Sequence, residues 1–142
     1  MTQIGRKLWV CLFSIALLFA FCTAAYAAHE EIPRISIAEL KKMMDEKADI
    51  VVVDAQIKSL YDKGHIKGAV NFPWKQEITS ADARVLPKDK LIVVYCDCGP
   101  GESDSSDVAA QLTMLGFPDV KVLADPSIRG WIKAGYPIDK GY

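Results

Sequence analysis

The sequence has 142 residues, with 17 Lys and Arg against 18 Asp and Glu, a formal net charge of -1 at pH 7. This length suggests one domain, and the near-neutral charge gives no reason to expect nucleic acid or a strongly anionic surface as a partner. No internal repeat, low-complexity run or second domain is evident in the sequence.

The first 27 residues have the pattern of a secretory signal peptide. Arg6 and Lys7 precede an apolar run from Leu8 to Phe21, and Ala25-Tyr26-Ala27 supplies small residues for signal peptidase. An uncleaved membrane anchor is the alternative, but the run is shorter than the roughly 20 residues that a spanning helix needs. We expect cleavage after Ala27, leaving residues 28–142 as a domain exported to the periplasm or cell envelope.

Cleavage would also remove Cys11 and Cys22, so Cys96 and Cys98 would be the only thiols of the mature chain. One cysteine pair is too few for a disulfide scaffold, which predicts a hydrophobic core. The two remaining cysteines are therefore available for chemistry.

The mature chain alternates between predicted strands and helices. A short strand at Arg34 and Ile35 is followed by Ser36-Ile37-Ala38-Glu39, the spacing of a capping box, and a helix to about Lys47. The later elements are a strand at Asp49–Asp54, a helical turn at Ser59–Lys63, strands at Ala69–Phe72 and Leu91–Tyr95, a helix stopped by Gly116, a last strand at Val120–Leu123 and a last helix at Ile128–Ala134. Apolar strands separated by helical segments predict a parallel sheet.

Cys96 directly follows the central strand. Gly99, Pro100 and Gly101 then exclude regular structure, and Ser103 to Ser106 offer N-cap side chains for the next helix. Ligands bind beyond the carboxyl ends of strands in open α/β sheets, and a helix N-terminus favours an anion such as a thiolate. This placement predicts Cys96 as a nucleophile; a buried, inert cysteine is the alternative.

Three segments carry motifs of one known family. They are Val53-Asp54 with the run from Tyr61 to Pro73 that contains Gly64-His65-Ile66, Val93-Val94-Tyr95-Cys96 with Leu115-Gly116-Phe117, and Trp131 to Ile138. Together they resemble the rhodanese-like family over nearly all of the mature chain. The resemblance implies an α/β fold with a parallel sheet of about five strands flanked by helices, and a sulfurtransferase whose loop cysteine carries a sulfane sulfur as a persulfide.

The segment from Cys96 to Val108 differs from the family's compact six-residue loop. It is several residues longer, contains no Lys or Arg, and carries Asp97, Glu102, Asp104 and Asp107. We expect an anion cradle from Asp97, Gly99, Gly101, Glu102, Ser103 and Ser105. The four carboxylates are expected to repel thiosulfate and to favour a neutral or polymeric sulfur donor.

Related loops serve phosphatases and arsenate reductases, which need Arg six positions after the cysteine to bind an oxyanion. In this sequence that position is Glu102, and a carboxylate repels phosphate. The sequence therefore disfavours phosphoryl transfer.

Cys98 is compatible with three roles: a spacer, a resolving thiol that attacks a persulfide on Cys96, or half of a Cys96–Cys98 disulfide. Such a disulfide would close a very small ring, which we expect to be strained, partly formed and easily reduced. Metal binding is less expected, because zinc prefers four ligands and the chain has two histidines. We predict no metal and no cofactor.

Two further residues are candidates for a supporting role. His65 lies in a glycine-bounded turn, which favours a structural function over catalysis. Asp54, at a strand end, is expected either to support the neighbouring loop or to cap the helix that follows.

The function expected from these observations is that of an exported sulfurtransferase or persulfide carrier with Cys96 as sulfur acceptor. Its partners would be a small sulfur-containing donor and a thiol or protein acceptor. Two alternatives remain open: a catalytically inactive rhodanese-like binding module, and a Cys96/Cys98 thiol-disulfide redox protein.

Overall fold

The computed structural model describes residues 31–141. The predicted signal peptide, its cleavage site, and both Cys11 and Cys22 lie outside these residues. Between residues 31 and 141, no helix is long and apolar enough to cross a membrane.

The described residues form strands and short helices in near-regular alternation. The strands are β1 Arg34–Ile35, β2 Ile50–Asp54, β3 His65–Ile66, β4 Val70–Asn71, β5 Leu91–Tyr95, β6 Val120–Leu123 and β7 Ile138–Asp139. The helices are α1 Ile37–Asp45, α2 Lys58–Tyr61, α3 Ser103–Met114 and α4 Ser127–Lys133, with a single 3-10 turn at Asp82–Val85.

Five strands form one parallel sheet in the order β1-β6-β5-β2-β4. The predicted five-stranded parallel sheet is thus confirmed. β5 lies at its centre between β2 and β6, as expected for a continuous run of apolar, partly β-branched residues.

Side chains of β5 alternate between two hydrophobic cores, because successive strand residues point to opposite faces of a sheet. Ile92, Val94 and Cys96 pack with the α3 residues in one core. Val93 and Tyr95 pack in the other, which includes Leu40 of α1 and Trp131 of α4. Cys96 therefore enters the site from the α3 side of the sheet.

The start of α1 is the predicted capping box. Ser36 Oγ accepts from the Glu39 N–H at 3.2 Å, and the Glu39 carboxylate accepts from the Ser36 N–H at 2.8 Å. The Ser36 hydroxyl also donates to the Glu39 carboxylate at 2.7 Å, and the two bonds from Ser36 to this carboxylate lower the pKa of Glu39 below its usual value.

Two predictions about element boundaries are wrong. The N-cap of α3 is Glu102, in the left-handed region with φ 45°, and no serine of the 103–106 run caps the helix. β6 is not the last strand, because β7 pairs antiparallel with β3 in a separate two-stranded sheet. Two-residue strands are too short to show an alternating pattern, so their pairing could not be predicted locally.

Candidate active site

The site lies at the carboxyl ends of three adjacent parallel strands, β2, β5 and β6. Asp54 ends β2 in register with Tyr95, and Cys96 follows Tyr95 directly. Cys96 is 2% exposed, and its carbonyl oxygen accepts from the Ser127 hydroxyl at 3.0 Å. The first residue of α4 therefore holds the backbone of the candidate nucleophile.

Cys96 Sγ and Cys98 Sγ form a disulfide bond, with the two Cα atoms 5.5 Å apart. Cys98 is half-buried. Gly99 and Gly101 follow with φ of 81° and 95°, values that glycine adopts without steric cost. These glycines turn the chain from the cysteine pair into α3.

Ser105 is the residue of α3 that contacts the cysteine sulfur. Its side chain is fully buried, and its Oγ lies 3.4 Å from Cys96 Sγ and donates to the Glu102 carbonyl at 3.1 Å. A hydroxyl has one proton, so donation to a Cys96 thiolate would replace donation to that carbonyl. Ser103, predicted for the same cradle, is exposed and donates to Asp104 Oδ1 at 3.1 Å.

Glu102 is a buried, paired carboxylate and not an exposed acid that a sulfur donor would meet. Glu102 is only 4% exposed. Its carboxylate accepts hydrogen bonds from Arg34 Nε at 3.3 Å and from the Asp125 N–H. Burial and these partners make Glu102 a structural connection between α3, β1 and the end of β6. The Glu102 carboxylate is therefore buried and paired, whereas the sequence alone predicted one of four loop carboxylates facing a donor; the repulsion of thiosulfate by the loop stays a prediction.

Two other acids of the loop also have partners. Asp97 forms an ion pair with Arg129 of α4, and both side chains are partly exposed. Asp107 accepts from Trp74 Nε1 and, at 3.0 Å, from Gln111 Nε2. The loop contains no basic residue, but Arg34 and Arg129 supply cations from outside it.

Asp54 lies in a buried hydrogen-bond network with Tyr95. The Tyr95 hydroxyl donates to Asp54 Oδ2 at 2.6 Å and accepts from the Ile66 N–H at 3.0 Å, while the Gln56 N–H donates to Asp54 Oδ1 at 2.8 Å. Burial raises the pKa of Asp54, although the hydrogen bonds from Tyr95 and Gln56 act in the opposite direction. Burial and the Asp54 charge raise the pKa of Tyr95 far above its usual range, so the hydroxyl stays protonated and remains a donor.

This network decides between the two roles expected of Asp54. The N-cap of α2 is Ile57, and that helix has no side-chain cap. Asp54 therefore does not cap the helix that follows, and instead connects the carboxyl ends of β2 and β5 next to Cys96.

His65 is buried in β3 and contacts Tyr61. The two rings stack with centroids 3.6 Å apart and planes 9° from parallel, and His65 Nδ1 lies 2.9 Å from the Tyr61 carbonyl oxygen. These contacts account for the imidazole as part of the packing, in agreement with the structural role favoured by the sequence.

Neither a metal-binding cluster nor a surface cleft points to a candidate active site other than the Cys96 loop in the described part of the chain. No group of three or more His, Cys, Asp and Glu side chains in the described part of the chain could hold a metal ion. A surface cleft of about 600 Å³ lies at the opposite end of α3, where its lining includes Leu115 and Phe117 but no residue of the loop.

Comparisons with known proteins agree with this architecture. The family model described as Rhodanese-like domain matches residues 36–134. The chain is 28% identical over 143 residues to the uncharacterized protein YibN of Escherichia coli K12, covering 99% of this chain and 96% of that protein. It is 25% identical over 84 residues to the thiosulfate sulfurtransferase PspE of the same strain, covering 55% of this chain and 78% of PspE.

A solved structure shows the same fold. The rhodanese-like domain of the Anabaena sp. protein Alr3790 is 25% identical with a TM-score of 0.66, covering 76% of this chain and 79% of that one.

Proposed function

Because the chain belongs to the rhodanese-like domain family, we propose that it is a sulfurtransferase or persulfide carrier that holds a sulfane sulfur on Cys96. The Cys96 thiolate would attack the sulfane sulfur of a donor and displace the remainder of the donor as its leaving group. Because Cys96 is disulfide-bonded to Cys98 in the structure, this bond must be reduced by thiol–disulfide exchange before the thiolate can act.

The placement of Cys96 carries this proposal. A nucleophile at the end of a buried central strand is held in position by the sheet, and the 3.4 Å contact with Ser105 Oγ provides a donor for the thiolate. The N–H groups in the first turn of α3 have no acceptors within their own helix, and they favour negative charge beside them. The relative named thiosulfate sulfurtransferase supports the same class of chemistry.

We also propose that the protein acts after export, in the periplasm or cell envelope. The proposal rests on the signal-peptide pattern of residues 1–27. An oxidising compartment suits a protein whose two mature cysteines can form a disulfide.

The proposed function is tested by weighing the tryptic peptide 91–121, which contains both cysteines. The protein is reduced, desalted and incubated with thiosulfate, polysulfide or a low-molecular-weight persulfide. We expect a gain of about 32 Da on Cys96 that persists in Cys98→Ala, where no second thiol can displace the sulfur, and that is absent in Cys96→Ala. If no donor adds sulfur to Cys96 in Cys98→Ala, the protein is not a sulfurtransferase of this kind.

The Cys96–Cys98 disulfide favours one second candidate, a thiol-disulfide exchange protein. In that case the disulfide would oxidise a partner dithiol at the same rate with or without a sulfur donor, and Cys96 would never carry additional sulfur. The same peptide measurement distinguishes the two functions.

A further inference from the structure

We infer that Cys98 resolves the persulfide on Cys96, so that the protein reduces sulfane sulfur to hydrosulfide instead of only passing it to an acceptor. The inference rests on the proposed function, because it begins from a persulfide on Cys96.

The first observation is that the two sulfurs already meet in the folded loop. The Cα atoms of Cys96 and Cys98 are 5.5 Å apart, within the usual disulfide range of about 4.4–6.8 Å. Formation of the bond therefore requires no rearrangement of β5 or α3.

The second observation is the difference in exposure between the two cysteines. Cys96 is 2% exposed, whereas Cys98 is half-buried at the surface of the same core. An acceptor thiol from another molecule would have to enter this buried position, but Cys98 is already in contact with it. A tethered nucleophile commonly reacts as if it were present at a very high concentration.

The third observation concerns the residue between the cysteines. The Asp97 carboxylate pairs with Arg129 of α4, and the Cys96 carbonyl accepts from Ser127 of the same helix. α4 thus holds the Cys-Asp-Cys turn at two points. These contacts keep Cys98 beside Cys96 while the persulfide on Cys96 is replaced by the disulfide.

The step is balanced as follows. The Cys98 thiol loses its proton, and its sulfur attacks Cys96 Sγ as the bond from Cys96 Sγ to the outer sulfur breaks. The outer sulfur leaves as hydrosulfide, taking the electron pair of the broken bond and the proton given up by Cys98. The two cysteine sulfurs are oxidised together by two electrons, and the sulfane sulfur is reduced by two.

The disulfide is then returned to two thiols by a dithiol reductant, which is itself oxidised to a disulfide. The substrates of the complete cycle are accordingly a sulfane-sulfur donor and a dithiol, and one product is hydrosulfide. The disulfide-bonded form is the state that this cycle reaches after each sulfide is released.

The test uses the full mature chain, reduced and kept without oxygen, with one equivalent of glutathione persulfide per chain. Peptide 91–121 is alkylated and weighed, protein-bound sulfane sulfur is measured by cyanolysis, and released sulfide is measured separately. Cys98→Ser is compared with wild type, Cys98→Ala serves as a second variant, and Ser106→Ala is the control in the same segment, since the Ser106 hydroxyl bonds to the Gly101 carbonyl and not to the sulfur.

In wild type and Ser106→Ala we expect the peptide to become a disulfide, about 2 Da lighter than the dithiol, with sulfide released. In both Cys98 variants we expect a persulfide that persists on Cys96 and sulfide release at least about tenfold slower, because the tethered thiol is absent. Protein without donor should remain a dithiol.

A wild-type persulfide that persists as long as that of Cys98→Ser would overturn the inference and leave the proposed function standing. If neither Cys98 variant acquires sulfur on Cys96, the proposed function fails and the inference fails with it. The wild-type measurement keeps the test decisive even where a variant does not fold.

Discussion

Asp54 and Tyr95 are register partners on β2 and β5, and the Tyr95 hydroxyl donates a 2.6 Å hydrogen bond to Asp54 Oδ2. The same hydroxyl accepts from the Ile66 N–H and so connects the parallel sheet to β3. Because Cys96 is the next residue, this buried pair determines where β5 ends and the candidate site begins.

Tyr95→Phe should destabilise the protein by about 1–3 kcal/mol, because it leaves the Ile66 N–H without its partner and removes the shorter of the two hydrogen bonds to Asp54 Oδ2, the other being the 3.2 Å bond from Gln56 Nε2. The measurement is the midpoint of urea unfolding. Tyr61→Phe removes a 2.7 Å bond to the Ala69 carbonyl at a half-buried position and should cost less. Equal losses in the two variants would show that burial of the Asp54 network is not the cause.

The raised pKa of Asp54 predicts a specific pH dependence. The folded state retains the Asp54 proton at pH values where the unfolded chain has lost it, so stability falls as pH rises from the ordinary value of 3.8 to the raised folded pKa. Asp54→Asn cannot ionise, so the wild-type free energy of unfolding, minus that of the variant, should decrease through this window. A difference that is flat, or that increases with pH, would contradict the assignment.

Ser105→Ala should slow alkylation of reduced Cys96 at neutral pH by about tenfold, because a hydrogen bond to a charged group is commonly worth about 1.5–3 kcal/mol. The rate is followed with iodoacetamide in a Cys98→Ala background, so that a single thiol reacts. Ser106→Ala is the matched control, since the Ser106 hydroxyl bonds to the Gly101 carbonyl and not to the sulfur. An equal effect of both changes would indicate a general loosening of α3.

Arg129→Gln leaves the Asp97 carboxylate without its cation beside the cysteines. We expect the KM for thiosulfate to rise about two- to fivefold at low salt, in line with the small energies of exposed ion pairs. Added salt should remove most of this effect, since charges are screened beyond about 10 Å at 0.1 M. The double variant Asp97→Asn/Arg129→Gln should recover the original KM, and a rise that persists in high salt would argue for a structural cause.

Glu102→Arg should not create a better oxyanion enzyme, although it places Arg six positions after Cys96. The new cation would lie in a buried position beside Arg34, and the unpaired charge should cost about 3–5 kcal/mol. Glu102→Gln keeps an oxygen acceptor for the Asp125 N–H and should cost about 1 kcal/mol. Urea unfolding of the two variants checks this, and a stable Glu102→Arg protein with faster thiosulfate turnover would refute it.

The features that could be predicted are those that depend on residues close together in the sequence. Continuous apolar runs predicted β2, β5 and β6 within a residue, and the position of Cys96 at a strand end followed from β5 alone. The Ser36 capping box was predicted for the same reason, because its donors and acceptors lie within one helical turn.

The ion pairs of the site could not be predicted in this way. Glu102 meets Arg34 because β1 pairs with β6, and Asp97 meets Arg129 because α4 packs beside the loop. Asp97 and Glu102 have no basic neighbour in the loop sequence, but the fold brings an arginine from another element to each of them. One signal was available: in a parallel sheet the segments that follow β5 and β6 emerge at the same edge, so the residues after β6 were candidates for neighbours of the loop.

The strand order also determines which strands can pair early and which can pair only late during synthesis. β1 is the first described strand, but its register partners are in β6, and β3 pairs only with β7 near the end of the chain. Pairings between distant segments close large loops and slow folding, and unpaired strands are exposed to aggregation in the meantime. A chain synthesised from its amino end therefore delivers both cysteines of the loop before β6 exists to complete the sheet around them.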